Sequence, residues 1–283
     1  MGACRELTVA ISRNESARRM TYSRAQSFTG TFMFRFLPLL LAFAALPLHA
    51  APHHAALVEP SLHLASDHGL TPRVALTLDA CTGGTDKRIL DVLVENRIAA
   101  TIFVTARWLK RNPETLAVFK AHPDLFELED HGRDHVPAVD RAASVYGIKA
   151  AGSPEAVFAE VDGGTAAMIA AGVAKPKWFR GATAKYSPSA IAQIEAMGYR
   201  IAGYSLSGDG GSLLGEKVTA HRIANARDGD VIIAHINQPT RAAGAGVAEG
   251  ILALKKKGFA FVLLRDAAEP EAVKPVHAAA VAE

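Results

Sequence analysis

Cysteine is nearly absent: the chain of 283 residues holds two, Cys4 and Cys81. If the N-terminal segment is removed, only Cys81 is left, which excludes an internal disulfide. A remaining domain of about 230 residues buries enough surface to fold without one. Long hydrophobic runs are missing too. The longest, Phe36–Leu48, has 13 residues, short of the roughly 20 that a membrane helix needs. A strong excess of either charge is also missing. The net charge is +3, and six arginines against Glu6 and Glu15 make +4 in residues 1–50, so the rest carries −1. That balance excludes the basic surface that nucleic-acid binding requires and suits an uncharged or mixed-charge partner. Gly83-Gly84 lacks the Lys-Ser/Thr continuation of a phosphate-binding loop, and no internal repeat is visible.

What is present begins with a leader. Arg35, the apolar run and His49-Ala50-Ala51-Pro52 read as a secretory signal peptide over residues 33–50. Residues 1–32 then form an over-extended start or a long n-region, and Arg18-Arg19 lacks a twin-arginine context. Residues 51–69 read as a linker, 70–267 as one domain, and 268–283, rich in Ala, Pro, Glu and Val, as a loose tail. The expectation is an exported protein, periplasmic or secreted, with no integral span once the leader is gone.

Within the domain, apolar β-rich runs alternate with amphipathic segments. Val74–Leu78, Ala100–Thr105, Phe126–Asp130, Trp178–Arg180, Tyr199–Tyr204, Asp230–Ala234 and Phe259–Leu264 read as strands. Helices are expected over 85–96, after Asn112-Pro113-Glu114, after Ser153-Pro154-Glu155 with an interruption at Gly163-Gly164, after Ser187-Pro188, and over 247–257. Strand–helix alternation implies parallel strands with right-handed crossovers. About seven such units predict an α/β fold, an irregular (β/α) barrel in a single domain.

Titratable residues sit at the ends of these strands, where α/β sites are built. Asp79 ends the first run, and Ile233-Ala234-His235 ends a later one. His131 and His135, four apart, are expected on one face of a helical turn, where both imidazoles reach one divalent ion. Such a pair alone is more often a surface or capping feature; a strand-end Asp and a strand-end His in addition reverse that balance. Asp134 reads as solvated or supporting, Asp209 equally as a plain turn residue, and His122, His221, His53 and His54 as surface residues.

Taken together, these residues resemble the polysaccharide deacetylase (NodB-homology carbohydrate esterase) family over roughly residues 70–265. Thr77-Leu78-Asp79-Ala80-Cys81 stands where that family has Thr-Phe-Asp-Asp-Gly. His131 and His135 match its His-x-x-x-His, Phe179-Arg180 its Phe-Arg strand end, and His235 its last motif. Ser205–Asp209 matches the Asp-Trp motif poorly.

The resemblance implies a divalent metal, zinc first, with cobalt, manganese or nickel as alternatives. His131, His135 and Asp79 would hold it. Asp79 would also be the base, Arg180 its partner, His235 the acid and Asp209 the partner of His235. A backbone N–H near Thr183 would join the metal at the oxyanion. The substrate implied is an N-acetylated sugar polymer, peptidoglycan or an exopolysaccharide, losing acetate, and Tyr146 in the insert 136–153 is a candidate for stacking on a sugar. One departure matters: the family's second Asp, a usual metal ligand, is Ala80. Asp79 itself, an oxygen of Asp86 or Thr82, or loss of the site are the alternatives. Two rivals follow, a Cys81-dependent hydrolase and a catalytically silent carbohydrate-binding protein. Oligomeric state is not readable.

Overall fold

Eight of the strands run parallel in one curled sheet, in a computed structural model that describes residues 55–65, 69 and 71–267. The signal peptide, Cys4, His53, His54 and the tail after residue 267 lie outside the described residues. In chain order the elements are β1 (Arg73–Ala80), α1 (Lys87–Glu95), β2 (Ala100–Val104), α2 (Ala106–Arg111), α3 (Pro113–Ala121) and β3 (Phe126–Asp130). A two-stranded hairpin, β4 (Ser144–Val145) and β5 (Ile148–Lys149), precedes α4 (Pro154–Ala170), β6 (Trp178–Phe179), α5 (Pro188–Ala196) and β7 (Arg200–Ile201). Then come β8 (Leu206–Ser207), α6 (Glu216–Ala224), β9 (Val231–His235), α7 (Ala243–Lys256) and β10 (Ala260–Phe261). Among the described residues no helix is long and apolar enough to cross a membrane.

The strand order is β7-β6-β3-β2-β1-β9-β8, with β10 added beside the first residues of β1. The outer strands β7 and β8 are consecutive in sequence and only four residues, Ala202–Ser205, join them. Four residues span about 14 Å at most, so the two edges must lie close and the sheet must curl into a nearly closed barrel. Side chains alternate across that curl. Leu76, Leu78 and Ala80 of β1 face the helices, in a cluster with Ile102 and Val104 of β2, Ile232 and Ala234 of β9, and Ile251 of α7. Ala75, Phe103, Trp178 and Val231 pack together in a separate cluster inside the curl. Thr77 and Asp79 belong to the same inward set by alternation.

Several expected boundaries differ. The strand read over 199–204 is confined to β7, because the chain must leave the sheet there to cross the seam. The helix read over 247–257 begins at Ala243, and α2, α6, β8 and the hairpin were not anticipated. Gly163-Gly164 does not interrupt α4, which runs through both. A Cβ on Gly164 would collide with Asp130 Oδ1 and the Gly132 backbone, so close approach to β3 outweighs the helix cost of glycine, about 1 kcal/mol. Part of the expected linker is also structured: Val58 bridges Tyr186, His63 bridges Asp230, and Leu62 is buried inside the curl.

Candidate active site

Parallel register brings the titratable residues to one end of the barrel. Asp79 of β1 is the direct partner of His235 on β9, and Asp130, just before His131, is the partner of Phe179, just before Arg180. The carboxyl ends of β6, β3, β1 and β9, with β2 between β3 and β1, therefore converge. They face a cavity of about 540 Å³ lined by Asp79, Cys81, Thr82, His135, Thr183 and His235, among others.

Arg180 anchors the floor and is fully buried. Its Nη1 donates to Asp79 Oδ1 and Thr77 Oγ1, both at 2.9 Å. Its Nε and Nη2 donate to the carbonyls of Ala202 and Gly203, at 3.1 and 3.0 Å, in the seam between β7 and β8. The Phe103 ring lies 4.3 Å from the guanidinium carbon. One side chain thus satisfies backbone acceptors where the sheet fails to close and supplies the counter-charge to Asp79. Burial works to raise the Asp79 pKa, yet Arg180, His131 and His235 together bring it below the ordinary value.

The imidazole pair corrects one expectation. His131 and His135 are not on a helical turn; they lie in a loop with Gly132 at φ +88° and His135 at φ +63°. The rings nevertheless meet, with centroids 5.0 Å apart. The loop keeps its shape through two buried acids that sequence reading passed over. Asp130 accepts from the Gly132 amide at 2.7 Å, and Glu160 of α4 accepts from the amides of Asp134 and Val136 at 2.9 and 3.0 Å. The signal available was the local sequence Asp130-His131-Gly132, an Asx-type turn. Asp134 itself pairs with Arg107 and Arg133 at the surface.

His131 Nδ1 lies 2.5 Å from the Arg180 carbonyl, which can only accept, so Nδ1 carries the proton. Nε2 then faces Cys81 Sγ at 3.6 Å and Asp79 Oδ2 at 3.8 Å. Donor atoms of Cys81, His131 and His135 all lie within 4.8 Å of one another. Burial opposes charging of His131, but Asp79 and Cys81 overcome it and push its pKa up to about 9. Burial likewise opposes a Cys81 thiolate, and hydrogen bonds from His131, His135 and His235 carry the thiol well below its ordinary value. The two shifts are reciprocal: Asp79 and Cys81 favour the imidazolium, the imidazoles favour the thiolate, and the donor atoms of Cys81, His131 and His135 surround one centre. A divalent cation fits that centre in charge and in donor type. Ala80, by contrast, is packed into the apolar layer. Asp86 is no substitute: it caps α1 and binds Arg88 Nη2 at 2.5 Å.

Across the cavity, His235 Nδ1 lies 3.1 Å from both Asp209 oxygens, while the His235 amide donates to Oδ2 at 2.8 Å. Gly211 N and Ser212 Oγ donate to Asp209 as well. Burial disfavours the His235 cation, but Asp209 outweighs it and holds its pKa well above the ordinary value. The Asp209 pKa is lowered in turn, burial again opposing and His235 prevailing. Thr183, with φ at +70°, also lines the cavity, and its buried hydroxyl has no partner among the described residues. Tyr146, at the hairpin turn, is exposed at the cavity rim and takes Lys185 Nζ over its ring at 4.9 Å. His221 is exposed and His122 partly buried at the end of α3, both away from the site.

Residues 68–202 match the family model described as polysaccharide deacetylase. No curated protein matches the chain in sequence. Among solved structures it is similar to the peptidoglycan deacetylase PdaC from Bacillus subtilis, at 21% identity and TM-score 0.56, over 69% of this chain and 89% of that one. A family 4 carbohydrate esterase from Streptomyces lividans in complex with acetate is 17% identical, TM-score 0.55, over 71% and 98%. A CE4 family pseudoenzyme from Bacillus anthracis is 18% identical, TM-score 0.54, over 70% and 66%. The strand-end aspartate, the paired imidazoles and the Phe-Arg strand end all fall in the segment 68–202, which matches the polysaccharide deacetylase family, hydrolases of the amide bonds in acetylated polysaccharides, and the final histidine joins them at one mouth.

Proposed function

We propose that the protein is a metal-dependent deacetylase that hydrolyses N-acetyl groups from an exported sugar polymer, peptidoglycan or a poly-N-acetylglucosamine exopolysaccharide. One observation carries this reading: Asp79 and His235, register partners on adjacent strands, face one cavity beside the imidazole pair. A divalent ion near His131 and His135, zinc by donor type, would polarise the acyl carbonyl and acidify the attacking water. The remaining work belongs to the chain. Asp79, ionised and aimed by Arg180, accepts the proton of the attacking water at Oδ2. His235, kept protonated by Asp209, donates from Nε2 to the departing amine. Thr183 lines the same cavity, its hydroxyl has no partner among the described residues, and its backbone N–H is the candidate donor to the oxyanion. Tyr146 and the hairpin form one wall for a sugar ring. Export through the leader read over residues 33–50 would bring the enzyme to such polymers in the periplasm or outside the cell.

Asp209→Asn tests the acid. With Asp209 charged, His235 stays protonated to a higher pH, so the alkaline limb of the activity profile lies high. Removing the charge is expected to move that limb to lower pH, and an unmoved limb would contradict the pairing. For the function itself, the protein is incubated with an N-acetylglucosamine polymer and with peptidoglycan, and acetate and free amine are both counted. Equal amounts of the two support the proposal. Polymer binding without acetate would indicate the silent alternative that the pseudoenzyme relative exemplifies.

A further inference from the structure

We infer that Cys81 is a thiolate ligand of the metal, standing in for the aspartate that Ala80 replaces and leaving Asp79 free to act as base. The inference rests on the metal-dependent reading of the same cavity. Its geometric basis is the separation of 3.6 Å between Cys81 Sγ and His131 Nε2. In a tetrahedral zinc site, bonds of about 2.3 Å to sulfur and 2.0–2.1 Å to nitrogen put those two atoms about 3.6 Å apart. The third donor, on His135, is within 4.8 Å of both, so it exceeds the tetrahedral edges by at most about 1.4 Å.

The backbone holds the thiol in place. Ala80 turns its methyl into the helix-facing apolar layer, so strand alternation returns Cys81 to the cavity side with Asp79. The Cys81 carbonyl accepts from Thr105 Oγ1, and the Ala80 carbonyl from the Thr105 amide at 3.3 Å. Both contacts tie the end of β1 to the end of β2. The Arg180 carbonyl fixes the His131 tautomer, leaving Nε2 as the donor that faces sulfur. Asp79 Oδ1 is occupied by Arg180. A cysteine–histidine–histidine set is softer than the family's carboxylate set, and it favours zinc or cobalt over manganese and magnesium.

The test is a cobalt titration of the full chain, stripped of metal and kept reduced. Wild type is expected to show a near-ultraviolet thiolate-to-cobalt charge-transfer band together with the visible bands of tetrahedral cobalt. Loss of a supporting residue behind a ligand costs about 10–100-fold in affinity, so Cys81→Ser, which loses a ligand itself, should bind at least about 100-fold more weakly. Cys81→Asp should recover binding and visible bands without the near-ultraviolet band, which also shows that the altered chain still folds. Cobalt bound by wild type without that band, and equally well by Cys81→Ser, would overturn the inference while leaving metal-dependent deacetylation intact. No cobalt binding by wild type would overturn both.

Discussion

Asp79→Asn is expected to lower acetate release by about 10²–10⁴-fold, the usual contribution of a positioned base. The amide keeps the shape of the carboxyl and an oxygen for Arg180, but it cannot take a proton from water. Asp79 is suited to that task by its neighbours rather than by its own chemistry. Burial alone would push it toward the neutral form, and the guanidinium at 2.9 Å keeps it charged. The substitution also leaves Arg180 buried without its counter-charge, so unfolding is measured beside turnover and the rate is referred to folded protein. A variant that keeps more than about a tenth of wild-type turnover would remove Asp79 from the base role.

Arg180→Met is expected to be the most damaging change to the fold, at about 3–5 kcal/mol, the cost of breaking a buried ion pair by removing one partner. Methionine fills part of the volume but has no donors. The carbonyls of Ala202 and Gly203 lose their bonds in the seam, and Asp79 is left buried beside Thr77 without a cation. Unsatisfied buried acceptors cost about 1–3 kcal/mol each. Denaturant unfolding of the single variants and of Asp79→Asn/Arg180→Met gives the coupling directly. Removing both charges should restore part of the stability that Arg180→Met loses. An Arg180→Met chain as stable as wild type would mean that the seam is held by other contacts.

Much of the fold and site can be read in the sequence because strands end where chemistry begins. Asp79, Arg180 and His235 each close an apolar run, and parallel pairing turns that one-dimensional pattern into a shared edge. What escapes a linear reading depends on long-range contacts. Gly163-Gly164 looks like a helix break until Asp130 and Arg133 are placed against it. The two histidines suggest a helical turn by spacing, yet Gly132 and His135 adopt left-handed backbone under the hold of Asp130 and Glu160. Residues 55–65 carry no strand pattern of their own, and their order comes from bridges to Tyr186 and Asp230. Cys81 reads in sequence as the nucleophile of a rival hydrolase, and only the fold sets its sulfur 3.6 Å from His131 Nε2.

The most direct measurement restores metal to chelated protein while acetate release is followed. Release should be lost on chelation, return in proportion to added zinc, and level off at one ion per chain, with His131→Ala unresponsive throughout. Undiminished release from metal-free protein, or a His131→Ala chain that responds like wild type, would contradict the account.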